Sequence, residues 1–388
     1  MDHATQVKLI ERVYGYVDNK TTDMVAKEYF NPVKRYTDPG RLDREVSMLF
    51  RRYPLIAGHA SELPKVGDFK TIDLAGVPVL IVRSTDRTIR AFLNACRHRG
   101  TKLVWDACGE KRRAFACPYH AWTYDTTGKL IAIPYENGFP NVDKSEHGLV
   151  ALPTTVHQGF IYVQTSPDAP KIDVDSWLGN VGYDFTQMNL ADYSVFKSEV
   201  VPRKNNWKLA IDIFLENYHT KWTHTKTIWE VFLENVGLFE DFPPHLRCII
   251  PKRSLMDLRE TDREGWSLRE HATLLYTVFP NAMVAVLADH VVMFTIFPKT
   301  VGESTLHIDT LVKNGPRSEE AKIGWAKSLH VVNEVIAEDT ARGEAIQAGF
   351  ATGANEHLTF GRFEQALGFF HESVEQALQE DRLSLAAE

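Results

Sequence analysis

The chain has 388 residues, 44% of them hydrophobic, which allows a sizeable core and suggests two domains. A net charge of −7 with scattered basic residues argues against a nucleic-acid or anionic-membrane partner, since both need a basic face. Four cysteines are too few for a disulfide framework at this length, so a soluble, reducing, cytoplasmic setting is expected.

Residues 1–45 read as helix and then loop, ending in YTDPGRLDRE, and are expected to pack on a later domain. The opening segment has no apolar run behind a basic region, so it does not read as a signal peptide. From 46 to 165 the texture changes. Short runs rich in Val, Ile and Phe alternate with Gly, Asp and Pro turns, as in TIDLAGVPVLIVRSTDRTIRAFLNACRHRG, and predict a small antiparallel all-β domain. From 166 to 388 helical and strand patterns mix. NNWKLAIDIFLENYHTKWTH and GWAKSLHVVNEVIAEDTARGEAIQAGF read as helices, whereas HATLLYTVFPNAMVAVLADHVVMFTIFP and STLHIDTLVKN read as sheet. The longest apolar stretch, Ala282–Pro298, is interrupted by Asp289-His290 and reads as two buried strands joined by a turn, not a membrane span. The fold class expected is α+β, with the small β domain placed before a larger α+β domain.

Two short stretches, CRHRG and CPYHAW, each hold a cysteine and a histidine: Cys96 with His98, and Cys117 with His120. Thiolate and imidazole together can hold zinc, or a 2Fe–2S cluster in which two Cys bind one iron and two His the other. A Cys2His2 finger keeps its cysteines together and its histidines together. Here each loop supplies one of each, so two facing loops could place both sulfurs on one iron and both imidazoles on the other. Gly100 and Pro118 permit tight turns, and Tyr119 and Trp122 could shield such a group. Cys108 and Cys248 read as ordinary packed residues.

A second histidine set lies in the other half. On a straight helix over residues 206–224, Asp212, Glu216 and His219 would share one face within about 60°. His224 would fall about 140° away from His219, so the helix must end or bulge if both are to reach one ion. Two histidines, one carboxylate and open positions form the facial triad of non-haem Fe(II) oxygenases. For the carboxylate, Asp339 lies on the apolar stripe Val332, Val335, Ile336 and Ile346, while Glu338 falls on a polar face beside Glu334 and Arg342. A buried acid needs a cation, either iron or the Arg342 guanidinium. Downstream of His224, Trp229, Phe232 and Leu233, with Leu238, Phe239 and Phe242, could wall an apolar pocket.

The stretches AFLNACRHRGTKL and FACPYHAWTYDTTGKL resemble the oxygenase branch of Rieske domains. Thr101 and Tyr119 stand where the respiratory branch carries two further cysteines, so that disulfide cannot form. Taken with the second histidine set, nearly the whole chain resembles the catalytic α subunit of Rieske non-haem iron, or ring-hydroxylating, oxygenases. The resemblance implies a Rieske 2Fe–2S cluster on Cys96, His98, Cys117 and His120, and a mononuclear Fe(II) on His219, His224 and Asp339. It implies a helix-grip-like catalytic domain and oxygen insertion from O2 into a hydrophobic, aromatic substrate. Electrons would come from NADH or NADPH through a reductase, with or without a ferredoxin. It implies that Glu216 bridges to His120 of a neighbouring subunit in a homotrimer, with or without a small β subunit. The family usually has Asp at that position; Glu resembles its quaternary-amine branch, whose members are monooxygenases or demethylases. Asp212, where Asn is common, would support the iron ligands from behind. Two other classes compete: a Rieske electron carrier, which needs nothing beyond about residue 165, and a zinc-stabilised binding protein.

Overall fold

The computed structural model describes residues 1–314 and 318–385. It forms two compact units: Phe50–Trp177 is one, and residues 1–49 join 178–388 to make the other. The β unit is therefore inserted into the second. It continues past the expected end at 165 because Gln164 ties the following segment back. The Gln164 side-chain amide donates to the carbonyls of Arg52 and Pro170 at 2.7 and 2.9 Å and accepts from the Ile172 amide at 3.0 Å.

The inserted unit is all antiparallel. Five strands pair in the order Ala151–Leu152, Ile89–Leu93, Val77–Arg83, Phe69–Leu74 and Cys108–Gly109. Three more, Thr154–His157, Phe160–Val163 and Leu55–His59, form a second sheet. The strands Ala114–Ala116, Thr123–Asp125 and Leu130–Ala132 make a small meander that carries one of the Cys/His loops. Phe69, Leu80, Val82, Phe92, Phe115, Trp122 and Tyr124 are buried in one core with Cys96 and Cys117.

The larger unit centres on a seven-stranded antiparallel sheet. Its order is Tyr193–Arg203, Glu303–Lys313, His290–Thr300, Ala282–Val286, Ala272–Val278, His245–Pro251 and Leu238–Phe242. The stretch 282–298 is two buried strands around a turn at 287–289. The helix Glu319–Phe350 starts at Ser318, whose side chain accepts from the Ala321 amide, and Glu319 and Glu320 sit in its first turn. Both features satisfy a helix N-terminus, by capping its free amides and opposing its dipole. The amino-terminal segment belongs to this unit. There the Glu45 carboxylate accepts from the Lys208 ammonium at 2.7 Å and from the Trp207 indole at 2.8 Å, with both charged side chains fully buried. Among the described residues, no helix is long and apolar enough to cross a membrane.

The single helix expected over 206–224 does not exist. Asn206 caps a helix of Trp207–Asp212, and the amides of Phe214 and Leu215 then bond three residues back instead of four. That tightening ends the helix. Asn217 holds the break open by donating to the Val236 carbonyl at 2.8 Å. A short helix, Thr220–Thr223, follows, with His219 at its start and His224 at its end.

Candidate functional site

Each Cys/His loop closes on itself in the same way. The Cys96 amide donates to the Thr101 carbonyl and the Gly100 amide to the Cys96 carbonyl, at 2.9 and 2.8 Å. In the other loop the Cys117 amide donates to Trp122 and the Ala121 amide to Cys117, at 2.8 and 2.9 Å. The closing position is left-handed in both: φ is 76° at Gly100 and 55° at Ala121. Glycine adopts that conformation freely, while alanine does so at a cost of about 1 kcal/mol.

The loops face each other. Cys96 and Cys117 are buried, whereas His98 is half-buried and His120 exposed, with their rings 4.7 Å apart. Trp122 stacks on His98 at 4.8 Å, and the Tyr124 hydroxyl lies 3.4 Å from Cys96 Sγ. Burial raises the Cys117 thiol pKa, so a sulfur there needs a cation to be held as thiolate. Two buried sulfurs below two outward imidazoles are the donor set a Rieske cluster requires.

In the larger unit, His219, His224 and Asp339 offer ligand atoms that all lie within 4.8 Å of one another. Asp339 Oδ1 is 2.9 Å from His224 Nε2 and 3.4 Å from His219 Nε2. The Nδ1 atom of each ring meets a carboxylate: Glu216 for His219, and Glu338 at 2.6 Å for His224. Ionised carboxylates only accept hydrogen bonds, so each Nδ1 carries the hydrogen and each Nε2 of a neutral ring presents its lone pair toward Asp339. Burial opposes protonation of His219, but hydrogen bonds to Asp339 and Glu216 outweigh it and raise its pKa to about 10. The same balance raises His224. Burial alone would raise the Asp339 pKa; the two histidines bring it below the usual value. A proton at Nε2 thus stands where a metal would, and the set fits one divalent ion with carboxylates orienting both imidazoles.

These ligand atoms border a cavity of about 420 Å³ between one sheet face and one helix stripe. The sheet contributes alternate residues, Ile250 and Lys252, Thr273 and Leu275, Ala285 and Leu287, and His290, Val292 and Phe294. The helix contributes Ser328, Val331, Val332, Val335 and Ile336 above Asp339. The two spacings, period 2 and period 3.6, are those of single faces of a strand and a helix.

Several expected placements change. Asp212 does not share a face with Glu216 and His219, because the helix ends at it. Its carboxylate instead accepts from the Tyr36 hydroxyl at 2.6 Å and pairs with His371 Nε2 at 3.0 Å in a buried cluster. Of the proposed pocket wall only Phe232 lines the cavity. Trp229 lies between Lys221 and Arg253, whose charged groups sit 5.4 and 4.8 Å from its ring centre. Leu233 borders a separate surface groove with Tyr16 and Val236. A helical wheel puts Glu338 on the polar face, away from the ligands. It is nevertheless only one position from Asp339, near enough for its longer side chain to reach the back of His224.

Two family profiles match the chain: the Rieske [2Fe-2S] domain at residues 54–146, and the ring hydroxylating alpha subunit (catalytic domain) at 190–380. The chain belongs to the Rieske oxygenases, as a ring-hydroxylating-type α subunit. Among its relatives is the biphenyl 2,3-dioxygenase α subunit of Rhodococcus jostii RHA1, 34% identical over 54% of this chain and 46% of that protein. The glycine betaine monooxygenase oxygenase subunit of Chromohalobacter salexigens is 30% identical over 54% of this chain and 46% of its own. The chain spans about half the length of the curated relatives it matches. The fold is shared with the quaternary ammonium Rieske monooxygenase CntA in complex with an inhibitor, at a TM-score of 0.79, 22% identity and coverage of 91% and 96%. It is also shared with indole-bound naphthalene 1,2-dioxygenase from Rhodococcus sp., at 0.78, 18%, and 96% and 98%. Membership implies both a Rieske cluster and a mononuclear iron, and the two donor sets fit them.

Proposed function

We propose that this chain is the terminal oxygenase of an electron-transfer chain, inserting O2-derived oxygen into a hydrophobic, aromatic substrate. One observation carries the reading: the His219, His224 and Asp339 triad opens onto a largely apolar cavity in a chain that also holds two facing Cys/His loops. When bound, the cluster supplies single electrons and the mononuclear iron activates O2.

The protein's own residues do the rest. Cys96, Cys117, His98 and His120 would hold the cluster, and Trp122 shields one of its imidazoles. Glu216 and Glu338 keep the protons of His219 and His224 on Nδ1, leaving both Nε2 atoms free to ligate. Phe214 and Phe294, stacked at 5.1 Å, and the valines of the long helix exclude water and leave an apolar body no polar partner except near the metal and at the far end. Glu216 is half-buried at the cavity wall and, on this reading, also meets His120 of a neighbouring subunit in a cyclic trimer. A reductase fed by NADH or NADPH is the proposed electron source, in the cytoplasm.

A second reading, a monooxygenase or demethylase of quaternary amines, is favoured by the glycine betaine relative and by Glu at position 216. Oxygen uptake with a generic ferredoxin and reductase, run over biphenyl, aromatic acids and glycine betaine, tests both. Product from the aromatic set alone supports the first reading, and product from glycine betaine alone replaces it with the second. Absence of cluster colour from the purified protein would remove both.

A further inference from the structure

The cavity has two chemically different ends. Near the metal ligands, Phe294 packs on Phe214, which follows the helix that leads into His219. Along the same strand face, His290 lies four residues from Phe294, about 13 Å of strand. Thr273 and Ile250, paired with each other, lie two and three strands across the sheet from the His290 strand, and Lys252 stands one side-chain row beyond Ile250. Strand alternation puts Lys252 on the same face as Ile250, the face that lines the cavity.

The Lys252 ammonium is not used up by the fold. It donates to the Glu270 carbonyl at 3.1 Å, and a lysine has three donors. Among the described residues no carboxylate forms an ion pair with it. Asp289, which also lines the cavity, is the acid nearest in effect. Its side chain is mostly exposed and bonds His290 Nδ1 at 2.8 Å, so the Lys252 charge at this end is offset only in part. Lys252 is half-buried and its bond to Glu270 lies at the exposed side; burial lowers its pKa and Asp289 partly restores it. His290 Nε2, buried in the same wall, has no hydrogen-bond partner among the described residues.

An apolar cavity whose far end offers a cation with two spare donors suits one kind of ligand. On the oxygenase reading above, we propose that the substrate is an apolar carboxylate, its anionic group held by Lys252 while its hydrocarbon part reaches the metal. A ligand whose only charge is a trimethylammonium group would meet a like charge at this end.

Three probes with one apolar body separate the possibilities: trans-cinnamate, methyl cinnamate and cinnamyltrimethylammonium, titrated anaerobically by calorimetry into protein holding both metals. Cinnamate is expected to bind about tenfold or more tightly than its ester, with the cation weakest. Lys252→Met removes the acid-over-ester preference, and Lys252→Arg keeps most of it. An acid no tighter than the ester, binding of none of the three, or a preference unchanged in Lys252→Met overturns the proposal. If Lys252→Met does not fold, salt decides in the wild type. Between about 0.05 and about 0.5 M NaCl the preference must shrink, and one indifferent to salt overturns the proposal. Oxygen uptake by the same samples keeps the two readings apart. Charge-selective binding without oxygen consumption removes the oxygenase and leaves the carboxylate site; faster turnover of ester than acid removes the site and leaves the oxygenase.

Discussion

Cys96 and the Tyr124 hydroxyl that touches it are 28 positions apart, whereas His224 and the Glu338 carboxylate behind it are 114 apart. The cluster loops are local objects. Each is closed by two backbone hydrogen bonds within six residues, and the Tyr124 hydroxyl on Cys96 and the Trp122 ring on His98 come from no more than 28 positions away. The mononuclear site is assembled from a broken helix, a short helix and the middle of a long one. A local site should tolerate damage elsewhere and fail only when its own residues change. An assembled one should also be adjustable from outside its ligands.

The largest effect expected on that contrast comes from the ligands. Asp339→Ala should lose one iron per chain and essentially all product formation while the visible spectrum of the cluster stays intact. Unchanged iron content would move the ligand role to another carboxylate. Conversely, Cys117→Ser should bleach the cluster and leave the mononuclear metal bound.

Next come the two carboxylates behind the histidines. Glu216→Ala and Glu338→Ala each strip one Nδ1 acceptor, and both should weaken mononuclear metal affinity about 10- to 100-fold, read by competition with a chelator. With iron saturating, only Glu216→Ala should uncouple the centres, so that stopped-flow reduction of the cluster is normal and product does not appear. Equal product rates in the two variants would give Glu216 an orienting role alone.

A smaller effect follows from protonation. Folding raises the His219 pKa from its ordinary 6.5 to about 10. A histidine raised on folding stabilises the fold fully below its unfolded value and loses that contribution as pH climbs through the folded one. The metal-free protein should therefore lose this contribution between pH 6.5 and about 10, while a metal at Nε2 replaces the proton. The gain in Tm on adding ferrous iron anaerobically should grow across that window; a constant gain would mean that no proton is displaced. Smallest of all, Ala121→Gly should raise stability by less than about 1 kcal/mol in denaturant titration and keep the cluster, since only the left-handed strain is relieved.

The same contrast governs what the sequence alone could reveal. The cluster loops were readable because ligand order, the turn-forming Gly100 and the flanking aromatics all lie in adjacent text. The α+β division was readable too, since hydrophobic period switches from 2 to 3.6 within the second half. His219, His224 and Asp339 were legible as types in a pattern, but the helix geometry used to group them failed at Asp212. Asn217 breaks that helix through a carbonyl nineteen positions away, which no local period encodes. The pocket wall is illegible in the sequence for a related reason. Trp229 and Leu233 follow His224 closely in the chain, yet the cavity is walled by residues that strand register and the long helix bring from much further along. Glu338 was hidden because a helical wheel records direction and ignores reach.

The buried pair of Glu45 and Lys208 bears on how the molecule comes to be folded. Its partners are 163 positions apart, with the whole β unit between them. Emerging from the ribosome, the early arm must wait until the inserted unit and the helix Trp207–Asp212 have been synthesised before its carboxylate meets the ammonium. Contacts of such long range slow folding, so the inserted unit is expected to become protease-resistant first. A catalytic half expressed from residue 178 onward would carry Lys208 into its core with no counterion, and for that reason should be insoluble without the first 49 residues supplied alongside it.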